Sequence, residues 1–400
     1  MKVLIVHERY RQPGGEDVVF EDEATLLESR GHAVVRYERH NDELAGTGRL
    51  RAAAETVWSR RGVTAVDAVL RRERPDVMHV HNTFPILSPS IFHAAAGRGV
   101  ATVQTLHNFR LICPQAQLLR GGAICEDCVG KTVAWPAVAH GCYRGSRAAS
   151  VATAAMLAVH RAAGTWRDAV DRFVALTEFS RDLFVRGGLP ADRIDVKPNF
   201  VAPDPGPPGS RAANDPPRVA FVGRLSEEKG VRTLLSAWSQ VAGKTRLEIV
   251  GDGPLRDDVN AAAARDRRIE PVGRAPLAKV LERIAAADLL AMPSVWYETF
   301  GRTTVEAFAA GVPVVASRLG AMAELVEDGA TGVLVPPGDP AALAAAVNDL
   351  LADPERRRRM GAAARADYEA RFTADRNYDL LLKVYERALT RRTALAKVAA

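Results

Sequence analysis

Short apolar runs alternate with longer amphipathic stretches along the whole chain, and this alternation is the main clue to its fold. In the first half the candidate strands are 3–6, 33–36, 77–80, 100–104 and 173–176. Short runs of this kind are typical of strands buried on both faces of a parallel sheet. The stretch 16–30 has apolar residues at helical spacing and ends at Gly31, so it predicts a helix directly after the first strand.

The same pattern restarts after a segment, 201–217, that is rich in proline and glycine and predicts an interdomain linker. Further candidate strands follow at 219–222, 247–250, 269–272, 288–292, 312–316 and 333–335. We therefore expect two α/β domains, 1–200 and 218–372, each a doubly wound parallel sheet that binds ligands at the carboxyl ends of its strands. A last helix, 373–400, is expected to pack back toward the first domain.

Composition and charge narrow the class of protein. The chain has 400 residues, 47% of them hydrophobic and 26% charged, as is usual for a globular protein. It lacks an apolar run long enough to span a membrane and a secretory signal at its start, so we expect a cytoplasmic location. The net charge of +6 suits anionic substrates and leaves peripheral membrane contact open. Because the basic run 356–359 lacks aromatic neighbours, no nucleic-acid partner is expected.

Two glutamates, Glu298 and Glu306, flank Gly301 at a predicted transition from strand to helix. The start of a helix binds anions, because its first N–H groups are unpaired and its dipole adds positive potential. Carboxylates beside such a site accept hydrogen bonds from neutral diols. A sugar, a diphosphate and a ribose in a row would fit this arrangement. Arg224 and Lys229, which follow another predicted strand, could converge on one phosphate group.

The first glycine loop, with Gly14 and Gly15, lies between the first predicted strand and helix. It lacks the G-x-G-x-x-G pattern that cradles the pyrophosphate of a dinucleotide. A nicotinamide or flavin dinucleotide site is therefore disfavoured here.

Four ordered motifs carry a resemblance to a known family. They are F-V-G-R-L-x-x-x-K-G at 221–230, V-G-D-G-P-L at 250–255, P-S-x-x-x-E-x-F-G-x-x-x-x-E-A at 293–307 and A-x-G-V-P-V-V-A at 309–316. The second half thus resembles the nucleotide-sugar-binding domain of the family-4 glycosyltransferases. The resemblance implies the GT-B fold, in which two Rossmann-like domains face each other across a cleft. The first half matches more weakly, through its glycine loop, H-x-H at 79–81, T-L-H at 105–107 and K-P-N at 197–199.

The resemblance implies transfer, with retention of configuration, of a glycosyl unit from a nucleoside-diphosphate sugar to an unknown sugar or lipid-linked acceptor, in cell-surface glycan or glycoconjugate synthesis. The resemblance also implies that catalysis requires no cofactor. The residues carried over for catalysis are Arg224, Lys229, Glu298 and His107, with Arg224 and Lys229 on the diphosphate, and Glu298 and His107 on the sugar. The residues carried over for donor binding are Gly14, Gly15, Gly223, Gly273, Arg274, Phe300, Gly301, Thr303, Glu306 and Asn199, with Glu306 on the ribose. A catalytically inactive nucleotide-sugar-binding protein of the same fold is the alternative.

All four cysteines lie in one insertion, 113–142: Cys113, Cys125, Cys128 and Cys142. In a reducing compartment this pattern is typical of a structural zinc site, although the spacing is irregular, and four buried, reduced thiols are the alternative.

His79 and His81 alternate at the end of a predicted strand. With no cysteine or acid expected nearby, a role facing the acceptor or plain packing is preferred to a metal pair.

Overall fold

The structure is a computed structural model that describes residues 1–10, 14–44, 46, 48–207 and 216–399. It divides into two compact units. The first comprises Met1–Leu118, Glu126–Pro198 and Asn377–Ala400, and the second comprises Leu119–Cys125 and Asn199–Arg376. Half of the predicted linker, 208–215, lies outside the described residues, as does 11–13 in the first glycine loop.

Each unit contains a six-stranded sheet, and every strand pairing in the two sheets is parallel. The strands, in chain order, are β1 (Lys2–Arg9), β2 (Ala33–His40), β3 (Val77–Val80), β4 (Ala101–Thr105), β5 (Leu119–Arg120), β6 (Ala123–Ile124), β7 (Arg172–Ala175), β8 (Ile194–Val196), β9 (Arg218–Val222), β10 (Arg246–Val250), β11 (Ile269–Gly273), β12 (Leu289–Met292), β13 (Val314–Ser317) and β14 (Gly332–Val335). The first sheet has the order β2-β1-β3-β4-β7-β8 and the second β11-β10-β9-β12-β13-β14, while β5 and β6 form a small antiparallel hairpin. The doubly wound prediction is confirmed for both sheets.

The α-helices are α1 (Gly15–Ser29), α2 (Arg49–Val57), α3 (Arg60–Glu73), α4 (Ile91–Gly97), α5 (Trp135–Ala139), α6 (Arg147–Ala162), α7 (Glu178–Arg186), α8 (Val231–Trp238), α9 (Arg256–Arg265), α10 (Leu277–Ala285), α11 (Arg302–Ala309), α12 (Ala321–Leu325), α13 (Pro340–Ala352), α14 (Pro354–Arg371) and α15 (Ala374–Ala399). Local sequence sets several of their starts. Asp339 caps α13 by accepting a hydrogen bond from the Ala342 amide, and Pro340 occupies the first helical turn, where its missing N–H costs nothing.

Apolar strands and amphipathic helices build a separate core in each unit. In the second unit, Phe221 of β9 and Trp238 of α8 are almost fully buried in one apolar cluster. In the first unit, Val3 of β1 and Phe20 of α1 lie in another, to which Tyr385 of the long last helix contributes. Burial of strands on both faces explains why they are continuous apolar runs in the sequence.

The strand order places a switch point in each sheet. In the second sheet the chain moves from β9 to β11 in one direction and then returns to the other side of β9 with β12. In the first sheet, β3 returns in the same way to the free side of β1. Loops diverge at such points, so the carboxyl ends of the strands leave a crevice there that binds ligands.

Within the described ranges, no helix combines the length and the apolarity that crossing a membrane requires.

Candidate functional site

Two predicted site residues meet at the switch point of the second sheet. Lys229 lies in the loop after β9 and Glu298 in the loop after β12. Lys229 Nζ donates a hydrogen bond to Glu298 Oε1 at 2.7 Å, and the hydroxyl of Ser294 donates to the same oxygen at 2.8 Å. The sequence predicted each residue separately, whereas the structure joins them in one ion pair.

Charge and burial shift the pKa of the Glu298 carboxyl in opposite directions. Burial alone would raise the pKa of this carboxyl, but the Lys229 ammonium and the hydrogen bonds outweigh it, and the net pKa lies below the ordinary value. Lys229 Nζ also lies 5.2 Å from the ring centre of Trp296, where a cation is attracted to the aromatic face. The Glu298 carboxyl is therefore ionised at neutral pH. An ammonium has three N–H groups, so Lys229 can hydrogen-bond an anion while it keeps Glu298.

Close contact between backbone segments explains why residues 230 and 251, in loops at the carboxyl ends of the strands of the second sheet, are glycines. A Cβ on Gly230, which has φ +70°, would lie 1.9 Å from the carbonyl oxygen of Pro293. A Cβ on Gly251 would lie 1.8 Å from the carbonyl oxygen of Gly223. Only glycine fits such contacts, so the loops after β9, β10 and β12 lie directly against one another. This holds Lys229 within reach of the loop that carries Glu298.

Helix α11 follows the Glu298 loop directly, and Gly301 is the N-cap residue just before its first residue, Arg302. Gly301 has φ +102°, and a Cβ there would lie 2.0 Å from Cε of Met322. Phe300 is buried, with its ring 6.1 Å from that of Phe372, so its side chain anchors the loop while its backbone remains at the helix start. Thr303 is half-buried in the first turn. The amides of that turn and the helix dipole make this end of α11 attractive to anions.

Glu306 lies one turn further along α11 and is also paired. Arg302 Nε donates to Glu306 Oε1 at 2.8 Å, and both side chains are largely buried. The sequence did not predict this partner. One carboxylate oxygen is thus engaged by Arg302, and contact of Glu306 with a ribose stays a prediction.

The remaining donor-binding predictions of the second unit lie on the loops of the same edge. Arg224, next to Gly223, is exposed and forms no ion pair with any residue in the part of the chain that the structure describes. Gly273 has φ +76° and its carbonyl accepts a hydrogen bond from the Gly251 amide. Arg274 is exposed, with Nε 3.8 Å from a carboxylate oxygen of Asp252. Convergence of Arg224 and Lys229 on one phosphate stays a prediction.

Asn199, where the longer segment of the second unit begins, is buried. Its side-chain oxygen has no hydrogen-bond partner among the described residues. Buried polar atoms normally have a hydrogen-bond partner, and a bound donor could supply it. Donor binding by Asn199 stays a prediction.

In the first unit, His107 follows β4 and His81 follows the neighbouring β3. His107 Nε2 lies 2.9 Å from His81 Nδ1. Gly14 and Gly15 stand at the start of α1, where the Gly14 amide donates to the Asp17 carboxylate at 2.6 Å. Asp17 in turn accepts from His7 Nε2 at 2.9 Å. These contacts fix the edge of the first sheet, although the sugar contact of His107 stays a prediction.

One interpretation of the sequence is corrected here, because an acid does lie beside the two histidines of the H-x-H motif. Glu23 Oε2 of α1 lies 3.7 Å from His79 Nδ1 and 3.5 Å from His81 Nε2. Lys197, in the K-P-N motif, donates to the other oxygen of Glu23, and both side chains are fully buried. Sequence reasoning missed Glu23 because α1 and β3 are far apart in the chain. The only signal was a glutamate among the apolar positions of α1.

Among the described residues, the four cysteines do not come together as the ligands of a metal site. Among the described residues, Glu23, His79 and His81 are the one group of three or more His, Cys, Asp or Glu side chains whose ligand atoms lie within 4.8 Å of one another. Cys113 is buried, but Cys125, Cys128 and Cys142 are only half-buried, so four buried thiols are not what the structure contains. Structural zinc stays a prediction.

Two family models match the chain. The model described as "Glycosyl transferase 4-like domain" matches residues 14–199, and the model described as "Glycosyl transferases group 1" matches 216–353. Together they cover most of the sequence and every strand of the two sheets except β1.

Curated relatives have activities of the same kind. The chain is 34% identical over 247 residues to a D-inositol 3-phosphate glycosyltransferase of Corynebacterium kroppenstedtii, an alignment that covers 56% of this chain and 54% of the relative. It is 32% identical over 248 residues to an alpha-maltose-1-phosphate synthase of Mycolicibacterium smegmatis, covering 55% and 64%. The matched region thus spans just over half of the length of such relatives.

Solved structures agree on the architecture. HepE of Anabaena, crystallised in complex with UDP, superposes with a TM-score of 0.67 at 20% identity, over 96% of this chain and 100% of that one. Sucrose-phosphate synthase from Thermosynechococcus elongatus superposes with a TM-score of 0.74 at 19% identity, over 98% and 100%. At such identities the likeness establishes the fold alone. With both family models in place, the chain belongs to the family-4 glycosyltransferases of GT-B fold.

Proposed function

We propose that the chain transfers a glycosyl unit from a nucleoside-diphosphate sugar to an acceptor, with retention of anomeric configuration. The observation that carries this proposal is the Lys229–Glu298 ion pair at the switch point of the second sheet, directly before the start of α11. It places a cation, a carboxylate and a helix N-terminus together, which are the groups needed by a phosphate joined to a sugar.

The diphosphate is the natural ligand of the positive groups. Lys229 has donors to spare beside Glu298, Arg224 is exposed on the same loop, and the first amides of α11 lie next to Glu298 in sequence. As the bond between sugar and phosphate breaks, negative charge accumulates on the departing diphosphate. Cations and a helix terminus that are already in place stabilise that charge, which is how electrostatic catalysis lowers a barrier.

Each of the two glutamates, Glu298 and Glu306, binds a different part of the donor. Glu298 accepts hydrogen bonds from the transferred sugar, and Glu306, fixed by Arg302, accepts them from the ribose. Retention then follows a front-face route, in which the departing phosphate itself takes the proton of the acceptor hydroxyl. This route needs neither a covalent nucleophile nor a metal on the leaving group.

The rest of the proposal concerns the transferred sugar and the acceptor. His107 contacts the donor sugar, and the acceptor is a sugar or a lipid-linked compound used in the synthesis of cell-surface glycans or glycoconjugates. The names of the relatives include an inositol-phosphate glycosyltransferase, a maltose-1-phosphate synthase and a glycogen synthase, so they do not point to one acceptor. A UDP-sugar is the first donor to test, because HepE was crystallised with UDP-glucose. Peripheral contact with the cytoplasmic face of a membrane remains part of the proposal.

Calorimetric titration with nucleoside diphosphate tests the division between the glutamates. Glu306→Gln should weaken binding of the diphosphate by about tenfold to hundredfold, because a hydrogen bond to a charged group is worth ~1.5 to 3 kcal/mol. Glu298→Gln should leave that affinity nearly unchanged and lower turnover of the intact donor. Glu248→Gln is the matched control, since Glu248 is a buried glutamate of the same unit held by Arg283 at 2.9 Å.

Equal losses of diphosphate affinity in the Glu298 and Glu306 variants would contradict the assignment of roles. Retention has its own test, because the anomeric coupling constant of the fresh product in proton NMR reports its configuration. An inverted product would exclude the front-face route.

The inactive alternative predicts diphosphate binding without turnover of any donor. Arg224, Lys229, Glu298 and Glu306 are all present, and nothing in the comparisons supports a loss of activity.

A further inference from the structure

The exposed face of α6, a helix of the first unit, is apolar. Between its ends, over 148–160, the helix has no Asp, Glu, Lys or Arg. One face is buried and includes Thr153 and Leu157. Helical spacing places only alanine and valine on the opposite face, and none of them is buried: Ala148, Val151, Ala155, Val159 and Ala162. A surface helix normally has polar residues on its outer face, so this face of α6 is a candidate docking surface.

The segment around α5 adds exposed apolar side chains beside α6. Trp135, the first residue of α5, is 61% exposed, and Val133 is also exposed. Helix α5 packs against α6. Arg147 Nε of α6 donates to the carbonyl of Ala139, the last residue of α5, at 3.2 Å. The two apolar segments are therefore held together.

Helix α2 packs against α6 as well, and its second residue, Leu50, is 90% exposed. His160 Nε2 of α6 donates to the carbonyl of Val57, at the end of α2, at 2.9 Å. The structure describes seven exposed large apolar side chains, and five of them lie on α2, on α6, and on or just before α5. Exposed apolar area is thus concentrated in one part of the first unit.

Positive charge is concentrated in the same part. Residues 49–61 and 131–162 contain eight Lys or Arg and one acid, Glu55, which gives a net charge of +7. The whole chain has a net charge of +6, so all its other residues together have −1. Seven of the eight basic residues are exposed. We call the exposed side chains of 49–61 and 131–162 the apolar-basic surface.

We propose that the apolar-basic surface docks on a lipid bilayer with anionic headgroups. Its apolar side chains enter the boundary between headgroups and acyl chains. Trp135 suits this boundary, because indole has an apolar body and an N–H that hydrogen-bonds. The Lys and Arg side chains contact lipid phosphates, and each of them adds to the affinity for an anionic surface.

This inference deepens the peripheral membrane contact of the proposed function and rests on that function for its use. A transferase with a lipid-linked acceptor must meet the acceptor at a bilayer, and the apolar-basic surface is the part of the first unit that would contact the lipid. Docking itself requires neither donor nor acceptor, so it can be measured separately.

Two other occupants match the surface less well. A symmetric contact between two copies would bring a net charge of +7 against the same charge, with Glu55 as the one acid on each side. A nucleic acid would match the charge, but bases stack on aromatic side chains, and Trp135 is the only exposed aromatic residue of 49–61 and 131–162. Neither the valines of α6 nor Leu50 would be used.

Sedimentation with vesicles, without donor or acceptor, tests the docking directly. The protein should bind vesicles of equimolar phosphatidylcholine and phosphatidylglycerol, and bind pure phosphatidylcholine at least about tenfold more weakly. Added salt should weaken the binding to anionic vesicles, because it screens exposed charges. Equal binding to both kinds of vesicle, or binding to neither, would overturn the proposal.

Reversal of two exposed charges tests the basic part of the surface. Arg49→Glu combined with Arg51→Glu should weaken binding to anionic vesicles by about thirtyfold or more, since each basic residue near such a surface contributes about fivefold. Arg265→Glu combined with Arg267→Glu is the matched control, because these exposed arginines of the second unit have the same spacing and give the same change in net charge. Equal losses in the two double variants would contradict the location of the surface.

A buried charge tests the apolar part. Val151→Asp should weaken binding by about tenfold or more, because the side chain no longer enters the lipid. Leu395→Asp is the control, since Leu395 of α15 is 38% exposed and Val151 is 50% exposed. The tryptophan fluorescence of the wild type should shift to the blue on anionic vesicles, and a full shift in Trp135→Phe would count against insertion at α5. Circular dichroism checks the fold, and a Val151→Asp variant that fails to fold leaves the arginine variants to decide.

The other occupants have their own measurements. A dimer in size-exclusion chromatography that Val151→Asp dissociates, or RNA binding that the Arg49 and Arg51 variant abolishes, would overturn the proposal when vesicle binding is absent. Vesicle binding also separates this inference from the proposed function. Docking without glycosyl transfer would leave the surface standing and the function wrong, whereas transfer by a protein that binds no vesicles would do the opposite.

Discussion

The Lys229–Glu298 ion pair should be strongly coupled, and its two halves should be unequal in their effect on the free energy of unfolding. The Glu298 side chain is 8% exposed and that of Lys229 is 23% exposed. Lys229→Ala leaves a buried carboxylate without its cation, which should cost about 3 kcal/mol. Glu298→Gln leaves an ammonium that can still reach water, so about 1 kcal/mol is expected.

The double variant removes both charges and leaves no uncompensated ion. Its cost should fall short of the sum of the single costs by about 2 kcal/mol, which is the coupling energy of the pair. Urea unfolding at pH 7, followed by circular dichroism, measures all four proteins. Lys279 and Glu282 supply a matched control, because their ion pair has the same 2.7 Å separation but side chains that are 64% and 61% exposed. Their coupling should stay below about 0.5 kcal/mol.

Equal coupling in the buried and exposed pairs would refute the reasoning, because burial would then have no effect on the interaction. A Glu298→Gln variant that is as destabilised as Lys229→Ala would also contradict it, since the asymmetry follows from the difference in exposure.

Further predictions concern the first sheet, a glycine and the cysteines. Burial raises the pKa of Glu8 to about 7, so its protonated form stabilises the fold at low pH and that stability is lost as the pH rises to about 7. The wild-type free energy of unfolding should therefore fall between pH 5 and pH 8, and Glu8→Gln should reduce this fall by about 3 kcal/mol at most. If the free energy of unfolding depends on pH in the same way in both proteins, the prediction is wrong. Gly301→Ala should destabilise the protein more than Gly273→Ala, as measured by thermal unfolding. Both positions have positive φ, but only at Gly301 would the new methyl strike Met322. Metal analysis of protein purified without added zinc should find about one equivalent, and no metal with an unchanged Tm for Cys125→Ser would exclude a structural site.

The pattern of apolar residues predicted most of the fold, because a strand that is buried on both faces is a continuous apolar run in the sequence. All six strands of the second sheet were predicted within two residues at each end. The strand β8, Ile194–Val196, was missed, since it is three residues long and has a charged residue, Asp195, at its centre. Asp195 is paired with Arg172 of the adjacent strand at 2.7 Å, a contact that no local pattern reveals.

The sequence predicted individual residues of the candidate site but not the contacts between them. Motif spacing found Lys229 and Glu298 separately, because each follows its own strand, but their ion pair depends on β9 and β12 lying side by side. Likewise, Glu23 reaches His81 only because α1 packs near the end of β3. Contacts between distant segments come from the strand order, and a single sequence does not contain that order.

Release of nucleoside diphosphate from a panel of nucleoside-diphosphate sugars tests the central claim most directly. The wild-type protein should release diphosphate from at least one donor in the presence of acceptor. Lys229→Ala should do so ~10²-fold more slowly with its circular dichroism spectrum retained, since one positioned charge at the leaving group is lost. The exposed Lys279→Ala variant should match the wild type. Turnover by Lys229→Ala at the wild-type rate would contradict the account.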